Sequence, residues 1–111
     1  MDVTFSTRKL QKTCNSDRGL VKEYGPNCAK RIRTRLDDLN AATTLEVFRS
    51  LPGRCHELVG DRKGQLSIDV EHPLRLLFEP VGDGVQYKAD GGLDWRSVKA
   101  VLIIGVEDTH D

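Results

Sequence analysis

The feature that most restricts this chain is a run of strict alternation near its centre. Over residues 65–71, Leu66, Ile68 and Val70 share one parity, and Gln65, Ser67, Asp69 and Glu71 share the other. Residues 74–79 continue it, with Leu74, Leu76 and Phe78 opposed to Arg75, Leu77 and Glu79. Successive side chains leave a strand on opposite sides, so both segments present one face to a core and one to something polar. His72-Pro73 lies between them as the turn, because proline cannot donate within a ladder. The pair reads as an antiparallel hairpin.

The remaining elements follow from the same kind of pattern. Residues 2–5 read as a short first strand, ended by Ser6 or Thr7, either of which can cap a helix. Leu10, Cys14, Val21 and Tyr24 fall on one stripe and predict a single amphipathic helix of about five turns. Asn15-Ser16-Asp17 offers the alternative of a break, with a second helix capped there. Gly25-Pro26 closes that region and opens the next helix, whose buried stripe is Cys28, Ile32, Leu36 and Leu39. Thr43-x-x-Glu46 has the form of a capping box for a short third helix, stopped by Leu51-Pro52-Gly53.

Residues 54–59 form a less regular strand in which His56 and Leu58 share a parity. A working His56 therefore requires a strand end or a bulge. Residues 60–64 are a charged turn, residues 81–94 a loop rich in Gly and Asp, and Trp95 closes one end of the core. Residues 99–107 are nearly all apolar, which predicts a central strand covered on both faces. A strand, two to three helices and then four strands make the chain α+β, with its helices on one face of a four- to five-stranded antiparallel sheet. Residues 1–111 are expected to form one domain.

Charge and cysteine usage narrow the functional classes. Seventeen Lys/Arg balance seventeen Asp/Glu, so no overall field draws the chain to nucleic acid or membrane. The balance is uneven, however: residues 1–54 hold eleven Lys/Arg against six Asp/Glu, and residues 55–111 hold the reverse ratio, six against eleven. Lys30, Arg31, Arg33 and Arg35 crowd onto one helix, either as a solvated face or, through Lys30 and Arg33, as a nucleic-acid contact. Three cysteines without a C-x-x-C pair suggest neither a disulfide framework nor a zinc site. No signal peptide is read at the N-terminus, and the longest apolar run, residues 101–106, is too short to span a bilayer. A cytoplasmic protein without a membrane partner is expected.

No Walker loop, nucleophile elbow, H-E-x-x-H or dinucleotide fingerprint is present. What remains is a polar sheet face and its margins: His56, Asp61, Arg62, Lys63, Asp69, Arg75, Asp108 and His110. Placing the final strand beside the hairpin brings Asp108 and His110 towards Arg75 and the 61–63 turn. Two histidines, a carboxylate and fixed cations meet the needs of phosphodiester cleavage by an internal 2′-hydroxyl. One group removes the hydroxyl proton, one protonates the leaving 5′ oxygen, and Arg or Lys stabilises the charge on phosphorus. Such chemistry requires no cofactor. The plainer alternatives are a core-satisfied His56, a solvated Arg62-Lys63 turn and a frayed His110.

The run RCHELVGDRKGQLSIDVEHPLRLLFEP, the preceding KRIRTRLDDLNAATTLE, the later KADGGLDW and the terminal GVEDTHD resemble the RelE/ParE superfamily of bacterial toxins. The likeness is to its HigB, or plasmid maintenance killer protein, branch. That resemblance implies a compact α+β fold and a ribosome-dependent endoribonuclease, an mRNA interferase acting on mRNA and the ribosome. It also implies neutralisation by a helix-turn-helix antitoxin of HigA type. By position it assigns His56, Arg75, Asp108 and His110 to catalysis, and Arg62 and Lys63 to substrate phosphate. Thr109 stands where many members have Tyr. Two other functions stay open: a RelE-like module that binds an antitoxin without cleaving, and a gyrase inhibitor of the ParE kind.

Overall fold

Short polar side chains set the helix boundaries. In the computed structural model, which describes residues 1–109, the first helix follows strand β1 (Asp2–Phe5) and begins after Thr7. The Thr7 hydroxyl accepts from the Leu10 amide at 3.1 Å. The single long helix expected from the stripe is two helices, α1 (Arg8–Cys14) and α2 (Asp17–Tyr24). Ser16 makes the break: its Oγ accepts from the Gly19 amide at 3.0 Å, an N-cap worth about 1 kcal/mol. The two pieces still bury Cys14 and Leu20 in one core.

Gly25, at φ 84°, turns the chain into α3 (Pro26–Ala41), with Pro26 in the first turn where its missing donor costs nothing. Cys28, Ala29, Ile32, Leu36 and Leu39 form its buried stripe. Helix α4 (Leu45–Arg49) starts one residue later than the Thr43 box predicts. Thr44 is the cap, accepting from the Val47 amide at 3.3 Å. Its third following residue is Val47, so no carboxylate returns the bond. Glu46 instead pairs with Arg49 at 3.3 Å.

The strands β2 (His56–Glu57), β3 (Leu66–Asp69), β4 (Leu74–Pro80) and β5 (Ala100–Asp108) join β1 in a five-stranded sheet of order β1-β5-β4-β3-β2. The predicted hairpin is β3–β4, with Ile68 opposite Leu76 and Leu66 opposite Phe78. The sheet is mixed: β1 runs parallel to β5, and the other pairs are antiparallel. Strand β5 is flanked on both edges, as its apolar run suggests, but only one of its faces is covered. Val101 and Ile103 are fully buried, while Leu102 and Ile104 are partly exposed. All the helices lie on one side, where Ile32, Leu39, Phe48, Ile68, Leu76, Phe78 and Ile103 make the core. Phe48 and Phe78 meet there edge to face, their centroids 6.3 Å apart.

Among the described residues no helix is long and apolar enough to cross a membrane. The three cysteines are unpaired, with Cys14 and Cys28 fully buried.

One irregularity decides what the uncovered side of the sheet displays. Between β4 and β5 the register slips: Phe78 faces Ile103, but Leu77 faces Gly105. Ile104 is the extra residue of a β-bulge. Beyond it the parity of β5 is reversed, so Gly105 and Glu107 stand across from Leu77 and Arg75, and Asp108 across from Leu74.

Candidate functional site

The uncovered face is built from the second parity of each strand. Ser67 and Asp69 of β3, Arg75 and Leu77 of β4, and Glu107 of β5 share it. His56 joins them because it pairs with Ser67. Leu77 is fully buried yet outside the main core cluster, and so floors this face. A groove of about 830 Å³ runs over it, lined by His56, Leu58, Val59, Gly60, Asp61, Arg62, Gln65, Arg75 and Thr109. Gln65 keeps a buried Oε1 without a hydrogen-bond partner among the described residues.

Arg75 is the centre of the site, although only 5% exposed. Its Nε donates to the Ser67 hydroxyl at 2.7 Å and its Nη1 to the Asp69 carboxylate. Its Nη2 lies 3.2 Å from the Arg54 carbonyl and 3.3 Å from His56 Nδ1. A buried guanidinium needs such a shell, because an unpaired charge out of water costs several kcal/mol (about 3–5). Burial pushes the Asp69 carboxyl up, but the Arg54 hydrogen bond and the Arg75 and Arg54 charges outweigh it and hold it below its ordinary range. The carboxylate thus stays ionised beneath the cation.

His56 Nδ1 also lies 3.0 Å from the Arg54 carbonyl. A guanidinium only donates and a carbonyl only accepts, so a proton on Nδ1 satisfies one neighbour and its absence the other. In either tautomer Nδ1 is engaged, and Nε2 is the nitrogen without a protein partner among the described residues. The position of Arg54 depends on unusual backbone. Gly53 has φ 125°, and a Cβ there would lie 2.6 Å from Ile68 Cγ1. Arg54 itself has φ 54°. The two together lay the loop along β3, where the Gly53 carbonyl accepts from the Asp69 amide at 2.8 Å, and aim the Arg54 carbonyl at His56 and Arg75.

Across the groove Arg62 donates to Glu107 at 3.2 Å and ties the 60–62 turn to the end of β5. Glu57, beside His56, serves the fold: it accepts from the Leu93 amide at 3.1 Å and from Trp95 Nε1 at 3.3 Å. Arg49 caps the same indole, 4.3 Å above the ring. The Cys55 thiol is pushed up to about 12 by burial, despite Arg75 and Arg49, and is therefore neutral and a poor nucleophile.

The structure brings together His56, Arg75, Arg62 and Thr109. Asp108 sits across from Leu74, on the other parity, and the acid in Arg75's row is Glu107. His110 lies outside the described residues. Lys63 is exposed and borders a neighbouring cleft with Tyr87 and Leu93. Lys30 and Arg33 are on α3 at a separate, shallow cleft in the helical layer, not at the groove. Arg33 is used there as a brace, 3.0 Å from Asp17 and bonded to the Cys14 carbonyl. Ser67, Arg54 and Glu107 belong to the site without standing out in the sequence. Ser67 had a signal, the parity it shares with Asp69; Glu107 had none, since parity alone does not show the bulge.

A β-strand followed by a helical layer and a mostly antiparallel sheet is a fold that this chain shares with solved toxin structures. The chain has a TM-score of 0.61 to the YoeB/ParE toxin from Agrobacterium tumefaciens, at 11% identity, covering 99% of this chain and 100% of that one. To the YoeB dimer from Staphylococcus aureus the TM-score is 0.57 at 15% identity, covering 99% and 98%. These likenesses are of fold. No family model matches the sequence, and no curated protein matches it.

Proposed function

We propose that this protein is the toxin of a type II toxin–antitoxin pair, of the HigB branch, and that it cuts mRNA on the ribosome. The observation that carries the reading is His56, its Nδ1 fixed against a buried Arg75 and its Nε2 left for substrate beside an open groove. The sequence resemblance and the toxin folds it shares support the same reading.

In this mechanism a histidine removes the 2′-hydroxyl proton, and the oxygen attacks the adjacent phosphorus. A 2′,3′-cyclic phosphate forms, the bond from phosphorus to O5′ breaks, and a protonated group gives its proton to O5′. His56 and His110 are the acid and base. Arg62 contacts phosphate in the groove and Lys63 adds positive potential from the neighbouring cleft, while Arg75 supplies it from beneath. Arg75 has few free N–H groups, so its main role is to orient His56. The partner is a helix-turn-helix antitoxin of HigA type, and the site of action is the cytoplasm.

Primer extension on mRNA from translating ribosomes tests this directly. Wild type gives discrete stops, while His56→Ala and His110→Ala each reduce cleavage about 100-fold or more. Intact mRNA with the wild type ends the proposal. Thr109 and the engagement of Arg75 favour one second reading, a module that binds the antitoxin without cleaving. Tight co-purification with such a partner, without growth arrest on expression alone, identifies it.

A further inference from the structure

The groove is a weak holder of polyanion by itself. Arg75 is buried and engaged, and Arg62 is paired with Glu107. A second cleft, of about 120 Å³, lies on the other side of Arg75, which lines both. Arg31, Arg54, Asp69 and His72 complete its wall. The cleft lies past the end of β3, and Arg75 is the residue its wall has in common with the groove.

Its charge is one-sided. Arg31 spends Nη1 on the Val70 carbonyl at 3.3 Å, and Arg35 spends Nε on the Asp69 carbonyl at 2.9 Å. Arg54 reaches the Asp69 carboxylate through Nε alone, leaving both its terminal nitrogens without a protein partner among the described residues. Asp69 is already neutralised by Arg75, so Arg31 and Arg54 are in excess there. Arg54 is also the residue held at φ 54°, which fixes where its side chain begins. Two guanidiniums on separate, rigid elements, α3 and the 53–54 turn, each with free paired donors, suit the fork geometry of a phosphate.

We infer that the Arg31–Arg54 cleft is a phosphate subsite, holding a backbone phosphodiester of a single strand next to the one placed at His56. The inference rests on the nuclease reading for the identity of the strand. It explains how a chain with no net charge can track a polyanion: two arginines of its cation-rich first half, Arg31 and Arg54, stand together at this place. Backbone contacts of this kind position a strand and carry no sequence information.

The test uses the full chain and a fluorescent 2′-O-methyl oligonucleotide, which binds but lacks the attacking hydroxyl. Anisotropy is followed against potassium chloride for wild type, Arg54→Gln, Arg31→Gln, the double variant and Arg18→Gln. Arg18 is an exposed arginine on α2, in the helical layer, and serves as the control. The double variant should bind about tenfold more weakly at low salt, and its log–log salt slope should flatten by about 0.7 for each phosphate no longer neutralised. Arg18→Gln should match wild type, and thermal melts should show all the variants folded. Equal binding by the double variant overturns the subsite, as does equal weakening by Arg18→Gln, which would mean diffuse attraction. A wild type that binds with these dependences but leaves mRNA intact on ribosomes keeps the subsite and removes the nuclease.

Discussion

The two faces of the sheet are made from alternate residues of the same strands, yet they are held by different physics. On the helical side, Ile68, Leu76, Phe78, Val101 and Ile103 are fully buried and packed as hydrocarbon. One position away on each strand, Ser67, Arg75 and His56 form a polar chain with named donors and acceptors. Packing tolerates small adjustments and loses stability gradually with volume. The polar chain is an ordered set, in which removing one member leaves another unsatisfied. One face gives the molecule its stability, and the other fixes the geometry of a single imidazole.

Substitutions on each face can break that contrast. Phe78→Ala removes a fully buried ring from the core and should lower unfolding free energy by about 3–5 kcal/mol in urea titration. It should leave the environment of His56 unchanged under conditions where the protein is still folded. Arg75→Ala should cost less, about 2–3 kcal/mol, since Arg54 still pairs with Asp69. Its larger effect should fall on His56, whose ring NMR signals should shift and broaden as Nδ1 loses its neighbour. Equal disturbance of His56 by both substitutions would remove the distinction between the faces.

Ser67→Ala is a finer probe. It deletes one buried acceptor beneath Nε of Arg75 and should cost about 1 kcal/mol, while still altering the His56 signals. The smallest effect is on pH dependence. Asp69 is held below its ordinary carboxyl range in the folded state, so its stabilisation is present at neutral pH and lost as pH falls through that lowered value. Asp69→Asn should therefore be less stable near neutrality and show a shallower acid limb. An unchanged acid limb would mean that the carboxylate contributes nothing to holding Arg75.

The helical face was the more legible of the two in the sequence. Alternation over residues 65–79 gave the hairpin with its inward residues, and the stripe Cys28, Ile32, Leu36 and Leu39 gave α3. Hydrophobic period is a direct consequence of which side a residue faces, so it survives in one dimension. Local hydrogen bonding decided the finer points that period does not register: the break at Ser16 and the cap at Thr44 instead of Thr43. The polar face depended on long-range pairing. Parity alone demands a strand end for a working His56, but its contact with Arg75 spans 19 residues and needed the fold. Lys30 and Arg33 show the reverse, cations whose clustering suggests a contact surface and which packing placed elsewhere.

The extra residue at Ile104 has a consequence for how such a chain can change over time. Its carbonyl lies 3.4 Å from the Ser6 hydroxyl, so the kink is anchored just past the end of β1 instead of to the groove. Gaining or losing one residue at this point would turn the whole terminal segment over, exchanging the side chains it offers to the groove, while the half of β5 that meets the helices kept its place. The chemistry of the tail can thus diversify by single-residue changes in length whose cost to the hydrocarbon interior is confined to its edge at Val106.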